Sequence, residues 1–219
     1  MMQRWGDLLF AHWPIAPETL RPLVAGTLRL DTFDGTCWIA ITPFELWARP
    51  RGMPSLSHFP ELNCRTYVEF GGKPGVFFFS LDAGSRLAVW GARTFYRLPY
   101  FYSRMSKQAL TDGIQYDSRR TARDAVFVGK YRSEGLVRQS QKGSLEHWLT
   151  ERYCLYTCTR EHVYRAEIHH EPWPLQDAAC EIQQNTIASA AGIPMPETAP
   201  LLHFAKQLDV LIWPLHRAD

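Results

Sequence analysis

The chain has 219 residues, of which 46% are hydrophobic and 21% charged, a balance typical of a globular protein with a sizeable core. A formal net charge of +2 is too mild to indicate a nucleic-acid partner. Five cysteines without CxxC spacing argue against a disulfide framework, and no apolar run approaches the ~20 residues that cross a bilayer. We therefore expect one cytoplasmic domain over residues 1–219 without a membrane partner, and the oligomeric state stays open.

The first part of the chain has the pattern of short strands around one short helix. Pro17 suits the opening position of a helix over Ala16–Val24, where its missing N–H costs nothing. The turn residues Asp34-Gly35 separate two strand patterns. The strands predicted here are Leu8–Trp13, Thr27–Leu30 and Thr36–Trp47.

The clearest strand pattern follows a proline-rich segment, Arg49–Pro60, which we predict to be a loop. Residues Glu61–Phe70 alternate between polar and apolar with a period of two, as in a β-strand whose two faces differ. A glycine-rich turn then leads into a buried strand, Val76–Leu81. The two strands are predicted to form a hairpin.

Helix-capping residues predict two further helices. Asp82 can cap a helix that ends before Leu98-Pro99, and Ser144 can cap another. A short helix is expected at Thr186–Ala191, closed by the glycine that follows. The remaining predicted strands are Tyr100–Met105, Gly113–Ser118, Ala125–Tyr131, Arg152–Thr159, Val163–His170 and Leu208–Leu215. Strands outnumber helices and most connections resemble hairpins, which favours an antiparallel α+β fold.

Common catalytic and cofactor motifs are absent from the sequence. GxGxxG, GxxxxGK[ST], HExxH and GxSxG do not occur, which removes the usual signatures of nucleotide binding, zinc proteolysis and α/β-hydrolase chemistry. His147 and Glu151 have helical i, i+4 spacing but lack a third ligand, and such pairs are more often surface neighbours than metal sites. We expect neither a metal nor a cofactor.

The polar residues of Glu61–Phe70 allow two interpretations. In a half-exposed antiparallel sheet, Glu61, Asn63 and Arg65 would face solvent, which is the commoner arrangement. In a closed barrel the same alternation lines the interior, where polar side chains build a ligand site. In that second case Arg65 would be buried and paired with a carboxylate.

A second candidate region is the aromatic tract around the end of the helix that Asp82 is predicted to cap. It contains Arg93, Tyr96 and Tyr100. These side chains could form a wall that stacks on a ligand and binds an anion. The alternative is a set of core aromatic residues whose neighbouring arginines extend to the surface. The excess of arginine, nineteen against five lysines, fits an internal anion site and equally a GC-rich genome.

Six segments of the sequence resemble the YqjF-like family of uncharacterised bacterial proteins. They are LDTFDGTCWIAITPF, ELNCRTYV, GVFFFSLDA, ARTFYRLPY, SLEHWLTERYCLY and LLHFAKQLDVLIWPL. Together they are specific and extend over nearly the whole chain. The family has no settled activity, so the resemblance identifies a relative without supplying a function.

The YqjF-like family is distantly similar to the acetoacetate decarboxylase-like fold, which implies a β-barrel with flanking helices and an enclosed pocket. The decarboxylases carry a pattern close to GRE-x-x-G-x-P-K-K, in which the first lysine forms a Schiff base. Placed on this sequence, the arginine corresponds to Arg93 and an upstream pocket glutamate to Glu61, but the lysine positions hold Tyr100 and Phe101. Without an amine nucleophile the Schiff-base mechanism is lost.

These observations predict an α+β protein built on a predominantly antiparallel β-barrel with a few short flanking helices. We expect its pocket to bind a small metabolite that bears a carboxylate or is aromatic. The predicted ligand-binding residues are Glu61, Asn63, Arg65, Arg93, Tyr96 and Tyr100. The alternative is a cofactor-independent lyase or isomerase with Glu61 or Tyr100 as acid/base and Arg93 as electrostatic stabiliser. A partner-binding module has no sequence feature in its favour.

Overall fold

The computed structural model describes residues 1–49, 57–122 and 124–219, and the described strands form one sheet. Residues 50–56 of the predicted loop lie outside this description, and a strand already begins at Ser57. The strands are β1 Met2–Ile15, β2 Arg29–Leu30, β3 Cys37–Arg49, β4 Ser57–Phe70, β5 Lys73–Ala83, β6 Tyr100–Leu110, β7 Gly113–Arg120, β8 Val126–Arg138, β9 Cys154–Cys158, β10 Val163–His170, β11 Leu175–Asn185, β12 Leu201–Ile212 and β13 His216–Arg217.

The sheet closes on itself twice. Its order is β13-β10-β9-β5-β6-β7-β8-β11-β12-β1-β3-β4-β2, with additional pairings of β4 with β5 and of β10 with β12. A smaller ring therefore consists of β5, β9, β10, β12, β1, β3 and β4, and a larger ring contains β6, β7, β8 and β11. The rings share β12, β1, β3, β4 and β5. All pairings are antiparallel except those of β5 with β6 and with β9, which confirms the predominantly antiparallel barrel architecture.

The shared wall is buried on both faces because a ring closes on each side of it. In β1, Leu8 and Phe10 belong to one apolar cluster, whereas Leu9 and Ala11 belong to the other. Strand β4 lies in the same wall, and its residues 61–68 are all buried, so Glu61, Asn63 and Arg65 do not face solvent. The interpretation of Glu61–Phe70 as a half-exposed strand is wrong for this reason.

The helices are short and lie around the rings. They are α1 Pro17–Leu20, α2 Arg86–Tyr96 and α3 Leu145–Thr150. As predicted, Pro17 opens α1 and the Ser144 hydroxyl caps α3 by accepting the His147 N–H at 3.2 Å. Ser85, not Asp82, caps α2, since Asp82 is still part of β5. Within the described chain, no helix is long and apolar enough to cross a membrane.

Three other segments differ from the sequence prediction. The short helix expected at Thr186–Ala191 is a 3-10 turn over Ser189–Ala191. Strand β11 has no counterpart in the prediction. In the structure its residues alternate only weakly between buried and exposed positions. Strands β2 and β3 flank the predicted turn but do not pair with each other, since β2 pairs with β4.

The buried ion pair between Asp82 and Arg120 holds β5 against β7. Both Arg120–Asp82 hydrogen bonds are 2.8 Å or shorter, the Ser103 hydroxyl adds a third to the same carboxylate, and both charged side chains are buried.

Removing one partner of such a pair leaves a buried charge without compensation, which typically costs ~3–5 kcal/mol. We expect Asp82→Ala to lower the free energy of unfolding by about that amount in urea titrations. Asp209→Ala, which removes an exposed pair with Arg4, should leave it unchanged. Equal losses in the two variants would contradict this assignment.

Candidate functional site

The interior of the smaller ring contains a cavity of about 80 Å³. One wall is polar and comes from β4, while the opposite walls are apolar. The apolar lining comes mainly from Val76, Phe78, Leu81, Leu155, Ile168 and Ile212. Helix α2 and the residues after it contribute Ala92, Tyr96, Leu98 and Tyr100 to the lining. The end of α3 and the segment after it contribute Thr150 and Arg152. The cavity is thus enclosed by elements from most of the chain.

Three alternate positions of β4 that point into the smaller ring supply the polar wall. Glu61, Asn63 and Arg65 all line the cavity, because residues two apart on a strand share a face. A register shift against β5 lies between Cys64 and Arg65. Of the predicted ligand-binding residues, this strand therefore brings three together.

Arg65 is a buried cation without an ion-pair partner. Arg65 is only 7% exposed, and its Nε and Nη2 atoms have no hydrogen-bond partner among the described residues. The guanidinium carbon lies 5.5 Å from the centre of the Phe10 ring and 5.9 Å from that of Tyr67. The expectation that Arg65 is buried is met, but the expected carboxylate partner is not found in the described part of the chain.

A second buried guanidinium, that of Arg152, lines the same cavity. It forms an ion pair with Asp31 at 2.6 Å and donates through Nε to the Trp148 carbonyl. Its guanidinium carbon lies 4.8 Å from the centre of the Tyr67 ring and 4.3 Å from the centre of the Trp148 ring. Arg152 Nη2 has no partner in the described residues. Asp31 compensates Arg152 alone, so one positive charge remains uncompensated.

The groups behind Arg65 are neutral and do not supply the missing negative charge. The Tyr67 hydroxyl donates to the Leu149 carbonyl at 2.9 Å, so His12 Nε2 must donate to Tyr67 at 2.8 Å. Burial, with a further contribution from the Arg65 charge, holds the pKa of His12 well below its ordinary value. Burial likewise raises the pKa of Tyr67. The imidazole of His12 and the phenol of Tyr67 are thus both neutral and leave the charge of Arg65 uncompensated.

The unpartnered polar atoms of the lining are mostly N–H donors. Besides the two nitrogens of Arg65 and Nη2 of Arg152, the indole N–H of buried Trp173 has no acceptor within the described ranges. The Oδ1 atom of Asn63 is the one acceptor of this kind among the described lining residues. Four donors around a net positive charge form an environment that favours an anion.

Glu61 and Tyr100 form the second polar feature of the lining. The Tyr100 hydroxyl donates to Glu61 Oε2 at 3.0 Å, and the glutamate is only 3% exposed. Burial raises the pKa of Glu61 to about 8, against the lowering effect of hydrogen bonds from Tyr100 and Asn63. Burial and the neighbouring Glu61 also raise the pKa of Tyr100. Near neutral pH most of Glu61 carries a proton.

The other two predicted residues differ in position. Tyr96 lines the cavity from α2, close to Tyr100. Arg93 does not reach the cavity, because its side chain points to the surface side of α2. There its Nε donates to the Tyr100 carbonyl at 2.6 Å, and its guanidinium lies over the Phe101 ring. The arginines of the cavity are Arg65 and Arg152 instead.

No lysine of the described chain lines the cavity. Phe101, at one of the two lysine positions of the decarboxylase pattern, also lies outside the lining, whereas Tyr100 is part of it. Four lysines form ion pairs elsewhere, namely Lys73 with Glu167, Lys107 with Asp7 and Glu45, Lys130 with Asp112, and Lys206 with Asp7.

The sequence analysis missed Arg152 and Trp173. Arg152 follows α3 in a segment with no motif, and its partner Asp31 lies 121 residues away in the chain. Trp173 lies between β10 and β11 in a short connection. Only the closure of the ring brings them to β4, so no local pattern could have identified them.

Comparison with known proteins gives a family and a fold. The family DUF2071, described as an uncharacterized conserved protein, matches residues 2–209. The uncharacterized protein YqjF of Bacillus subtilis (strain 168) is 51% identical over 222 residues, which cover 99% of this chain and 92% of that protein. This confirms the resemblance to YqjF.

Solved structures of the same fold include two enzymes. The enduracididine biosynthesis enzyme MppR complexed with pyruvate superimposes with a TM-score of 0.70 at 9% identity, over 100% of this chain and 90% of that chain. Acetoacetate decarboxylase from Legionella pneumophila has a TM-score of 0.64 at 10% identity, over 100% of this chain and 88% of that chain. At these identities the similarity shows the acetoacetate decarboxylase-like fold alone.

The raised pKa of Glu61 predicts an unusual dependence of stability on pH. Between pH 4.5 and 8 the folded protein retains a proton that the unfolded chain has released, so this group's contribution to stability falls as pH rises and is constant above pH 8. At pH 8.5 we expect Glu61→Gln to increase the free energy of unfolding by on the order of a few kcal/mol and therefore to raise the melting temperature. At pH 4.5 the substitution should change the melting temperature little. Glu161→Gln, at a site 84% exposed, should show no such pH-dependent difference. Parallel melting profiles of Glu61→Gln and the unmodified protein from pH 4.5 to 9 would refute the assignment.

Proposed function

We propose that this chain, which belongs to the DUF2071 family of uncharacterised conserved proteins, binds a small carboxylate in the cavity of its smaller ring. The observation that carries the proposal is the uncompensated guanidinium of Arg65. An unpaired buried charge costs several kcal/mol, and a bound anion would offset that cost. Arg65 and Arg152 would hold the carboxylate through charge-assisted hydrogen bonds, with Trp173 as a further donor.

The size of the cavity supports a short ligand. Its volume of about 80 Å³ is roughly half that of an engineered cavity of about 150 Å³ that holds benzene. An aliphatic body of a few carbons fits beside Phe78, Leu155 and Ile168, whereas an aromatic body is too large for this cavity alone. A structural neighbour described as complexed with pyruvate provides a parallel, since pyruvate is a small monocarboxylate.

Binding without Schiff-base chemistry is part of the proposal. The described lining contains no lysine amine, so a carbonyl-bearing ligand would be held by hydrogen bonds and shape rather than as an imine. The pocket would then sense, sequester or carry its ligand.

Carboxylates should stabilise the protein more than their amides. A carboxylate brings a negative charge and two acceptor oxygens to the guanidiniums, whereas an amide is neutral and has one acceptor oxygen, so butanoate should raise the melting temperature more than butanamide does. Ligand at ~100 times its dissociation constant adds roughly 2.7 kcal/mol of stability, which a thermal-shift assay detects readily. Equal shifts with butanoate and butanamide would exclude the proposed role of the arginines.

Variants at two arginines separate the cavity from the surface. Arg65→Met removes a buried unpaired charge while keeping an apolar chain, so the ligand-free protein should become more stable, by ~1–4 kcal/mol, and lose the butanoate shift. Arg93→Lys is the matched control and should leave the shift unchanged, because Arg93 lies outside the cavity. A destabilised Arg65→Met variant that still responds to butanoate would overturn the proposal.

A cofactor-independent enzyme is the second candidate, favoured by the pKa of Glu61 near 8 in the same cavity as the guanidinium of Arg65. The ionised carboxylate would accept a proton from the carbon next to a ligand carbonyl, and the cation would stabilise the enolate. The proton then returns to the same carbon. Arg65 takes the stabilising role that the sequence analysis gave to Arg93.

Proton exchange tests this candidate without a known substrate. In D₂O, an active protein should exchange the methyl protons of pyruvate for deuterium, as measured by NMR, with a rate that rises through pH 8 as Glu61 ionises. Glu61→Gln should abolish exchange while retaining the thermal shift with carboxylates. Exchange that persists in Glu61→Gln, or that is absent while pyruvate binds, would leave binding as the function.

A further inference from the structure

A second, larger cavity adjoins the first beneath α2. Its volume is about 340 Å³, against about 80 Å³ for the inner cavity. The two share five lining residues, namely Met1, Gln3, Ala92, Tyr96 and Tyr100. We call the second cavity the α2 groove. These shared side chains separate the inner cavity from the α2 groove.

The α2 groove is apolar and partly open. Its remaining walls come chiefly from Leu46, Phe59, Leu87, Ala88, Gly91 and Phe95. Residues 88, 91, 92 and 95 have the i, i+3, i+4, i+7 spacing of one helix face. Leu87 and Phe95 are 76% and 67% exposed, which is unusual for such large apolar side chains. An apolar occupant of the groove would cover them.

The cationic end of the inner cavity lies away from the groove. Tyr100 hydrogen-bonds Glu61, so the shared wall is at the Glu61 end of the polar strand. Arg65 follows four residues later, which separates the two Cα positions by ~13 Å in an extended strand, although both side chains line the same cavity. The part of the lining next to α3 therefore contains Arg65 and Arg152. The part next to α2 contains Tyr96 and Tyr100.

We propose that the natural ligand is an amphipathic carboxylate, an aliphatic acid whose head binds Arg65 and Arg152 and whose tail passes Tyr96 and Tyr100 into the α2 groove. This inference rests on the proposed carboxylate binding and adds the class of ligand. The inner cavity is too small for more than a few carbons, and its continuation has apolar walls. Charge complementarity thus orients the head, and the groove receives the tail.

Chain length is the direct test. Each methylene buried from water contributes enough free energy for about a three- to fourfold gain in affinity. In calorimetric titrations below the micelle concentration, straight-chain acids from butanoate to decanoate should bind with dissociation constants that fall by roughly that factor per carbon. 1-Octanol should bind more weakly than octanoate, and Arg65→Met should remove that difference.

Gly91 allows the groove to be filled without touching the inner cavity. A Cβ atom added there meets no heavy atom within 4 Å, and residue 91 lines the groove but not the inner cavity. We expect Gly91→Phe to bind butanoate with unchanged affinity and to weaken octanoate binding at least tenfold. Thr94→Phe places the same side chain on the same helix, at an exposed position outside the groove, and should bind octanoate normally.

The outcomes distinguish this inference from the proposed function. If butanoate binds but affinity does not rise with chain length, or if Gly91→Phe binds octanoate normally, the tail assignment is wrong and carboxylate binding stands. If no acid of any length binds, both fail. If sedimentation shows a dimer that Gly91→Phe dissociates, and chain length has no effect, the groove is an interface between two copies and the inference is overturned.

Discussion

The structure depends on one constraint, a wall of five strands that both rings share. Strands β12, β1, β3, β4 and β5 belong to both rings, so most of their side chains enter one of two interiors, whereas a few, such as Asp209 and Lys206 of β12, stay exposed. Apolar residues satisfy this constraint at no cost. A polar or charged residue that the wall buries needs a partner inside the protein, because burying an unpaired polar group is unfavourable.

The two rings meet this requirement differently. On the side of the larger ring, Asp82 and Arg120 compensate each other completely, with Ser103 as a further donor. In the smaller ring, Arg65 has aromatic neighbours but no carboxylate among the described residues. Arg120 thus has a carboxylate partner within the chain, whereas Arg65 has none among the described residues.

Glu61 and Arg65 also show why the cavity is electrostatically divided. Both lie on one face of β4, yet they form no ion pair, and burial keeps most of Glu61 protonated near neutral pH. A protonated carboxyl beside Tyr100 leaves the positive charge at the far end without an internal counter-ion. Burying a charge without a partner is unfavourable for stability.

The sequence alone determined a part of the local structure. The alternation of Glu61–Phe70, the turn after it, Pro17 and the Ser144 cap each predict an element that is present, because turn, cap and periodicity preferences act over a few residues. Resemblance of short segments identified the family and its barrel. Only the tertiary structure decided that both faces of β4 are buried over residues 61–68, that Arg93 remains outside and that Arg152, paired with Asp31, joins Arg65 in the lining of the cavity. Those facts depend on which strands close the ring, and contacts between residues more than a hundred positions apart leave no trace in local spacing.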